Sequence, residues 1–212
     1  MGMEFIELFE QWADTYDESV TGNDIEYKEV FKHYDQLLQK VADRSFGHVL
    51  EFGPGTGNLT IKMIEKGLKV TGVEPSPSMR KIANQKLANK AVIVDGDFLS
   101  FPLDQPIDTF VSSYAFHHLT DEEKETAIAK YGNLLASGGK IVFADTMYES
   151  AKSYKRAIEK AMENGFHNLA EDLQREYYTT IPFLKGVLER NGFTPKFEQC
   201  NEFVWIMEGV KN

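Results

Sequence analysis

Three glycines at alternate positions, Gly53, Gly55 and Gly57, follow directly on an apolar segment at residues 48–52. Glycine lets a strand turn sharply into a helix, and it lets the backbone approach a ligand at the helix N-terminus. A helix-like pattern and a second strand-like segment, residues 68–74, come next. This order predicts a strand–helix–strand unit of the kind that binds nucleotides at the carboxyl ends of parallel strands.

The residues around this turn limit the kind of nucleotide that it suits. Glu74 follows Gly53 by about 20 positions, the separation expected of an acid that binds ribose hydroxyls. The dinucleotide fingerprint requires a glycine where Asn58 stands, and no Lys-Ser/Thr pair follows to cradle phosphates. Glu51, just before the turn, would repel a pyrophosphate and attract an ammonium group. A ligand with a ribose, an amine and no phosphate fits, and S-adenosylmethionine (SAM) is the candidate.

Five stretches follow one another in a fixed order, at residues 51–57, 74–79, 95–98, 111–119 and 135–141. In sequence and spacing they resemble the motifs of the class I SAM-dependent methyltransferases. Two further segments, near the two ends of the chain, resemble the YrrT-type bacterial methyltransferases; they lie at residues 5–17 and 203–208. The resemblance covers nearly the whole chain and implies SAM as the methyl donor.

The alternation of strands and helices predicts an α/β fold. We expect a doubly wound, Rossmann-like sheet of seven strands that is mostly parallel. Two segments near the C-terminus, residues 193–199 and 203–208, are too close for a helical crossover, so they predict an antiparallel hairpin. N-terminal helices and a helical lid insertion complete the expected domain, residues 1–212. The cap covers residues 1–45 and the insertion residues 148–178.

Local signals place several helix ends. Apolar spacing predicts a helix over residues 27–41 with Asp24 as its N-cap. Ser76 is expected to cap a helix with Pro77 at its first position. Thr120 opens a capping box with Glu123.

Composition indicates which partners and which cellular compartment to expect. The net charge of −10 weighs against a nucleic-acid partner, because binding phosphates requires clustered Lys and Arg. The chain has no apolar run of about 20 residues, so no membrane span is expected. The single Cys200 and the acidic N-terminus, which is unlike a signal peptide, predict a cytoplasmic protein. The oligomeric state is left open.

The resemblance implies a set of cofactor-binding residues. Gly53, Gly55 and Gly57 would face the methionine part of SAM, and Glu74 would accept from both ribose hydroxyls. Tyr16 resembles the tyrosine with which related enzymes close over the methionine carboxylate.

The adenine end of the donor would lie past the third and fourth strands. Asp97 would accept from the adenine amine, with Asp95 as the alternative, and Phe98 would stack on the ring. Ser113 and Tyr114, past the fourth strand, would contribute backbone and shape.

No catalytic residue is assigned from the sequence alone. His117 is the candidate for a general base, because imidazole titrates near neutral pH, and His118 is the weaker choice. The carboxylates of Asp95, Asp97 and Asp145 form no recognisable ligand set, so no metal is predicted. We therefore expect methyl transfer to a small-molecule acceptor. The alternatives are a non-catalytic binder of SAM or S-adenosylhomocysteine (SAH) and an NAD-dependent oxidoreductase.

Overall fold

The computed structural model describes Asp17, Val20 and residues 24–212. Within that part of the chain, helices and strands alternate through most of the sequence. The α-helices are α1 (Tyr34–Arg44), α2 (Asn58–Glu65), α3 (Pro77–Leu87), α4 (Asp121–Leu134), α5 (Ala151–Glu163), α6 (His167–Arg175) and α7 (Ile181–Arg190). The strands are β1 (His48–Phe52), β2 (Lys69–Val73), β3 (Val92–Val94), β4 (Thr109–Ser113), β5 (Lys140–Tyr148), β6 (Thr179–Thr180), β7 (Phe193–Gln199) and β8 (Val204–Lys211).

Seven of these strands form one sheet in the order β3-β2-β1-β4-β5-β8-β7. Strands β1 to β5 are parallel, and β8 pairs antiparallel with both β5 and β7. The order reverses between β1 and β4, and such a switch point leaves a crevice at the carboxyl ends of the strands. The predicted seven-stranded sheet with its antiparallel hairpin is confirmed. The two-residue β6, which pairs with the end of β5, is an addition that the sequence did not predict.

Apolar side chains cover both faces of the sheet. One face is covered by helices α1, α2 and α3 and by the α5–α6 pair, which bury their apolar side chains against it. Helices α4 and α7 cover the other face, where Phe52, Phe110 and Tyr131 stack on one another. Because both faces are covered, the central strands β1, β4 and β5 are buried along most of their length, as the largely apolar runs in the sequence indicated.

The local signals for helix ends were mostly correct. Ser76 accepts a hydrogen bond from the Met79 amide, and Thr120 forms the predicted capping box with Glu123. The helix expected over residues 27–41 was placed too early, because residues 25–33 form turns and α1 begins at Tyr34. His33 has a φ of 63°, a left-handed conformation that interrupts a helix at that point. Residues 1–16, the first part of the expected N-terminal helical cap, lie outside the described residues.

In the part of the chain that the structure describes, no helix combines the length and the apolar character needed to cross a membrane.

Candidate active site

The glycine turn lies between the carboxyl end of β1 and the start of α2. Gly53 and Gly55 have φ values of 61° and 54°, which side chains rarely adopt. A Cβ on Gly53 would come 2.8 Å from the Cβ of Ala115, so this glycine allows β1 to pack against the segment after β4. A Cβ on Gly55 would meet no atom of the described residues within 4 Å. The bare backbone at Gly55 therefore borders open space.

Glu74 directly follows β2 and turns back toward this loop. Its carboxylate accepts hydrogen bonds from the amides of Gly55, at 3.0 Å, and Ser76, at 2.9 Å. Only 4% of the residue is exposed. The structure thus brings the acid that follows β2 into contact with the glycine loop, and its role as the ribose-binding acid stays a prediction.

Glu51 lies beneath the first turn of α2 and is 1% exposed. Its Oε2 accepts from the Thr60 hydroxyl at 2.5 Å, while Oε1 has no hydrogen-bond partner among the described residues. Burial raises the pKa of Glu51 to about 8; the Thr60 hydrogen bond opposes that shift and the nearby charge of Glu74 adds to it. A buried acceptor of this kind suits a cationic group such as an ammonium.

The acids after β3 occupy different environments. Asp97 accepts at Oδ1 from the amides of Leu99 and Ser100, at 2.7 and 2.8 Å, and so closes a turn. Asp95 is exposed and pairs with Arg80 at 2.6 Å. The Phe98 ring is 5% exposed and stacks on Phe52 in the core. This position leaves little ring surface for the predicted stack on adenine, so the structure gives that expectation no support.

A group of aromatic rings borders the carboxyl end of β4. Ser113 ends that strand, and Tyr114 follows in a left-handed conformation with a φ of 52°. The Tyr114 ring packs against Phe31 and Tyr34 at centroid distances of 5.3 and 5.6 Å. Its hydroxyl donates to the Val30 carbonyl at 3.2 Å. These rings form an apolar wall beside the crevice.

His117 lies in a short 3₁₀ turn, residues 116–118, and pairs with Asp145 of β5. Its Nδ1 lies 2.7 Å from Oδ1 of Asp145. The same carboxylate accepts from the amides of Phe116, His117 and Thr146. Burial alone would raise the pKa of Asp145, but His117 and these hydrogen bonds lower it, so the carboxylate stays ionised. The His117 ring therefore has a fixed, charged partner.

His118 points to a different acid, Glu176, which follows α6. Its Nδ1 lies 3.0 Å from Oε2 of Glu176, at the end of the helical insertion. Burial, together with the charge of His117, lowers the pKa of His118 to about 4, so the ring is neutral and donates to the carboxylate. The Tyr177 amide donates to the His117 carbonyl at 3.1 Å. The two neighbouring histidines thus have separate roles, one toward β5 and one toward the insertion.

One group of side chains in the described part of the chain has donor atoms close enough for a metal ion. His117, His118 and Glu176 offer ligand atoms within 4.8 Å of one another. Both imidazoles already engage a carboxylate through Nδ1, so we interpret the group as two hydrogen-bonded pairs. The absence of a metal stays a prediction.

Asp17 reaches the glycine turn from the N-terminal segment. It accepts from the Thr56 hydroxyl at 2.6 Å and from the Asn58 amide group at 3.0 Å. It also pairs with Lys86 of α3 at 2.8 Å. Tyr16, the residue expected to close over the donor, lies outside the described residues. Its neighbour Asp17 forms these bonds at the glycine turn, where Tyr16 was predicted to close over the donor.

Comparison with known proteins identifies the family. Residues 49–139 match the family described as "Methyltransferase domain". An uncharacterized methyltransferase of Geobacillus sp. (strain WCH70) is 60% identical over 212 residues, which is 100% of each chain. One from Bacillus thuringiensis (strain Al Hakam) is 56% identical over 211 residues, again 100% of each. The chain belongs to this methyltransferase family.

Solved structures show that the methyltransferase has the fold that the sequence predicted. Magnesium protoporphyrin IX methyltransferase from Synechocystis, solved with bound SAM, aligns with a TM-score of 0.67 at 16% identity over 98% of this chain and 97% of that one. A glycopeptide N-methyltransferase complexed with SAM aligns with a TM-score of 0.62 at 18% identity, over 84% and 87% of the two chains. The predicted enzyme class, a SAM-dependent methyltransferase, is confirmed. The narrower YrrT-type resemblance stays a prediction.

Several residues that the structure brings together in the candidate site carry no clear signal in the sequence. Asp145 was considered only as a metal ligand, although a carboxylate inside an apolar strand is itself a sign of a special role. Glu176 comes close to His118 only because the insertion folds back on the 3₁₀ turn. Phe31 and Tyr34 were counted as one stripe of a helix, and the structure places both against Tyr114.

Proposed function

We propose that the methyltransferase transfers the methyl group of SAM to a small molecule bound between the glycine turn and the aromatic rings. The observation that carries this proposal is the bridge from Glu74 to the Gly55 amide, beside open space. A carboxylate held at that point accepts from the hydroxyls of a ribose. Bare backbone next to it accommodates the amino-acid end of the donor.

The residues present fit SAM along its whole length. Glu74 would hold the ribose, and Gly53, Gly55 and Gly57 would lie along the methionine part. Glu51, with its unpartnered buried Oε1, would attract the ammonium group. Asp97 would accept from the adenine amine, and Ser113 would contact the donor from the end of β4.

A small acceptor is supported by the enclosure of the crevice. Asp17 accepts from Thr56 and pairs with Lys86, so this residue lies against the glycine turn. Phe31 and Tyr34 line a cleft together with Asp17, and Tyr114 packs against both rings, which favours an acceptor with an apolar part. The net charge of −10 disfavours a nucleic acid.

The protein's contribution to the transfer is positioning. SAM supplies a methyl group on a sulfonium, which is already activated toward a nucleophile. Glu74 and the glycine turn fix the donor, and the aromatic wall orients the acceptor and excludes water. Holding donor and acceptor in line lowers the activation barrier, because the translational and rotational entropy of bringing them together is already lost on binding.

The test uses SAM labelled in its methyl group and an extract of Bacillus cereus cells. The extract is separated into an ultrafiltrate, an RNA fraction and a protein fraction, and each is incubated with the enzyme. We expect the label to enter the ultrafiltrate, and we expect Glu74→Gln to reduce that labelling when SAM is limiting. Incorporation into RNA or protein alone would contradict a small acceptor. Binding of neither SAM nor SAH would contradict the donor site.

A further inference from the structure

We propose that His117 is the general base of the transfer, that Asp145 is its positioning residue, and that the acceptor atom therefore carries a proton that it must lose. This inference rests on the proposed function and adds the class of acceptor to it. The attacking atom belongs to a hydroxyl, a thiol or an N–H group.

The position of His117 is fixed relative to the donor site. Ala115, two residues earlier, packs against Gly53, where a Cβ would approach it to 2.8 Å. The 3₁₀ turn that follows thus begins beside the glycine turn, at the carboxyl ends of β4 and β5. The His117 side chain is 12% exposed, so the ring is neither free in solvent nor sealed in the core. This is where an acceptor would meet the donor.

The hydrogen bond to Asp145 determines which nitrogen of His117 can accept a proton. A carboxylate only accepts hydrogen bonds, so Nδ1 carries the proton toward Asp145. The lone pair of the neutral ring is then on Nε2. Three backbone amides hold Asp145 in place, so the ring has one orientation and one tautomer. A general base requires this arrangement.

The charged and titratable groups around His117 together raise its pKa. Burial lowers the pKa of His117, but the charge and hydrogen bond of Asp145, together with the charge of Glu176 at the end of α6, raise it. Lys124 from α4 acts in the opposite direction. The His118 and Tyr178 rings pack against His117 at centroid distances of 4.1 and 5.1 Å. The net pKa of His117 lies above its ordinary value.

The chemical step balances as follows. The lone pair of the acceptor atom forms a bond to the methyl carbon of SAM, and the pair of the broken S–CH₃ bond stays on sulfur, which leaves neutral SAH. The proton of the acceptor moves to Nε2 of His117. The imidazolium, stabilised by Asp145, then releases that proton to water.

The test compares His117→Asn with His118→Asn. An asparagine amide lies near the place of Nδ1, so each variant can keep its hydrogen bond to Asp145 or Glu176 and lacks Nε2. With labelled SAM and the B. cereus ultrafiltrate, we expect the rate of His117→Asn to fall by about 100-fold or more, the lower end for a lost general base. His118→Asn should stay near the wild-type rate. SAH affinity, measured by calorimetry, should be unchanged in both.

Asp145→Asn tests the positioning role separately. The activity of the wild type should rise with pH as His117 loses its proton. In Asp145→Asn this rise should occur at lower pH, and the maximal rate should be lower. Nitrogen-15 NMR of the imidazoles should show the same decrease in the His117 pKa without any substrate. If His117 took no part in the reaction, Asp145→Asn would still lower the imidazole pKa in the NMR titration, but the pH dependence of the activity would not follow that change.

Three results would overturn this assignment. One is a His117→Asn rate near wild type, with label still entering the ultrafiltrate; the proposed function then survives without the base. A second is one tightly bound metal per chain that His118→Asn removes, because the histidines would then be ligands. The third is a wild-type enzyme that labels no small molecule, which removes the proposed function and the base together.

Discussion

Gly53 and Ala115 are in such close contact that a Cβ on Gly53 would lie 2.8 Å from the Cβ of Ala115. This contact joins the first turn of the donor site to the segment that carries His117. It also explains why the first glycine is required, since a side chain there would push the two segments apart. The φ of 61° adds a second reason.

Gly53→Ala should destabilise the protein by about 2 kcal/mol or more, through left-handed strain and overlap with Ala115. Gly138→Ala is the matched control, because Gly138 has a φ of 84° and open space around its Cβ position. Gly138→Ala should lower the free energy of unfolding by about 1 kcal/mol, through left-handed backbone strain alone. The free energies of unfolding come from denaturant titration. In Ala115→Gly protein the Gly53→Ala penalty should shrink, and strict additivity would argue against the contact.

Glu74→Gln should weaken SAH binding at least about tenfold, roughly 1.4 kcal/mol, because an amide presents a donor where the carboxylate accepts. Isothermal calorimetry measures the affinity. Glu65→Gln, at the exposed end of α2, is the control and should bind SAH like the wild type. An unchanged affinity in Glu74→Gln would remove Glu74 from the donor site.

Glu51 should make the stability of the unliganded protein depend on pH. Its pKa in the folded state, about 8, lies above the ordinary 4.5, so the folded protein holds a proton that the unfolded chain has lost. The stabilisation is complete below the ordinary pKa and disappears as the pH rises through about 8, with a slope of at most about 1.4 kcal/mol per pH unit. Glu51→Gln should flatten the curve of unfolding free energy against pH. The exposed Glu149→Gln should leave the curve unchanged, and equal slopes in all three proteins would contradict this role of Glu51.

Binding of SAM should draw that proton from Glu51, since an ammonium group favours the carboxylate. Calorimetry at about pH 7 in two buffers of different ionisation enthalpy measures the release. The wild type should release part of a proton, and Glu51→Gln should release less. Identical release by the two proteins would show that Glu51 does not face the ammonium group.

Asp17→Ala should weaken SAH binding by roughly three- to tenfold with little loss of stability. Its side chain is 48% exposed, so its bonds contribute modestly to folding, but they attach the N-terminal segment at the glycine turn. Lys86→Ala removes only the ion pair and should have a smaller effect on affinity. Equal effects of the two variants would mean that the Thr56 hydrogen bond has no part in binding.

Much of the fold was predictable because its signals are local. The apolar run at residues 48–52, the glycine turn and the capping residues Ser76 and Thr120 each depend on neighbours within a few positions. The start of α1 was not predictable in this way. Apolar spacing continues from residue 27, but the left-handed backbone at His33 ends the earlier turns, and periodicity alone does not reveal it.

The sequence alone indicated a mostly parallel sheet with an antiparallel hairpin, the donor class and the acid that would hold the ribose, because alternating elements and motif spacing along the chain carry those signals. Only the tertiary structure decided which histidine faces which acid. His117 and Asp145 are 28 positions apart, and His118 and Glu176 are 58 apart. Contacts over such separations depend on how the insertion and the sheet pack together, and no local pattern records that packing.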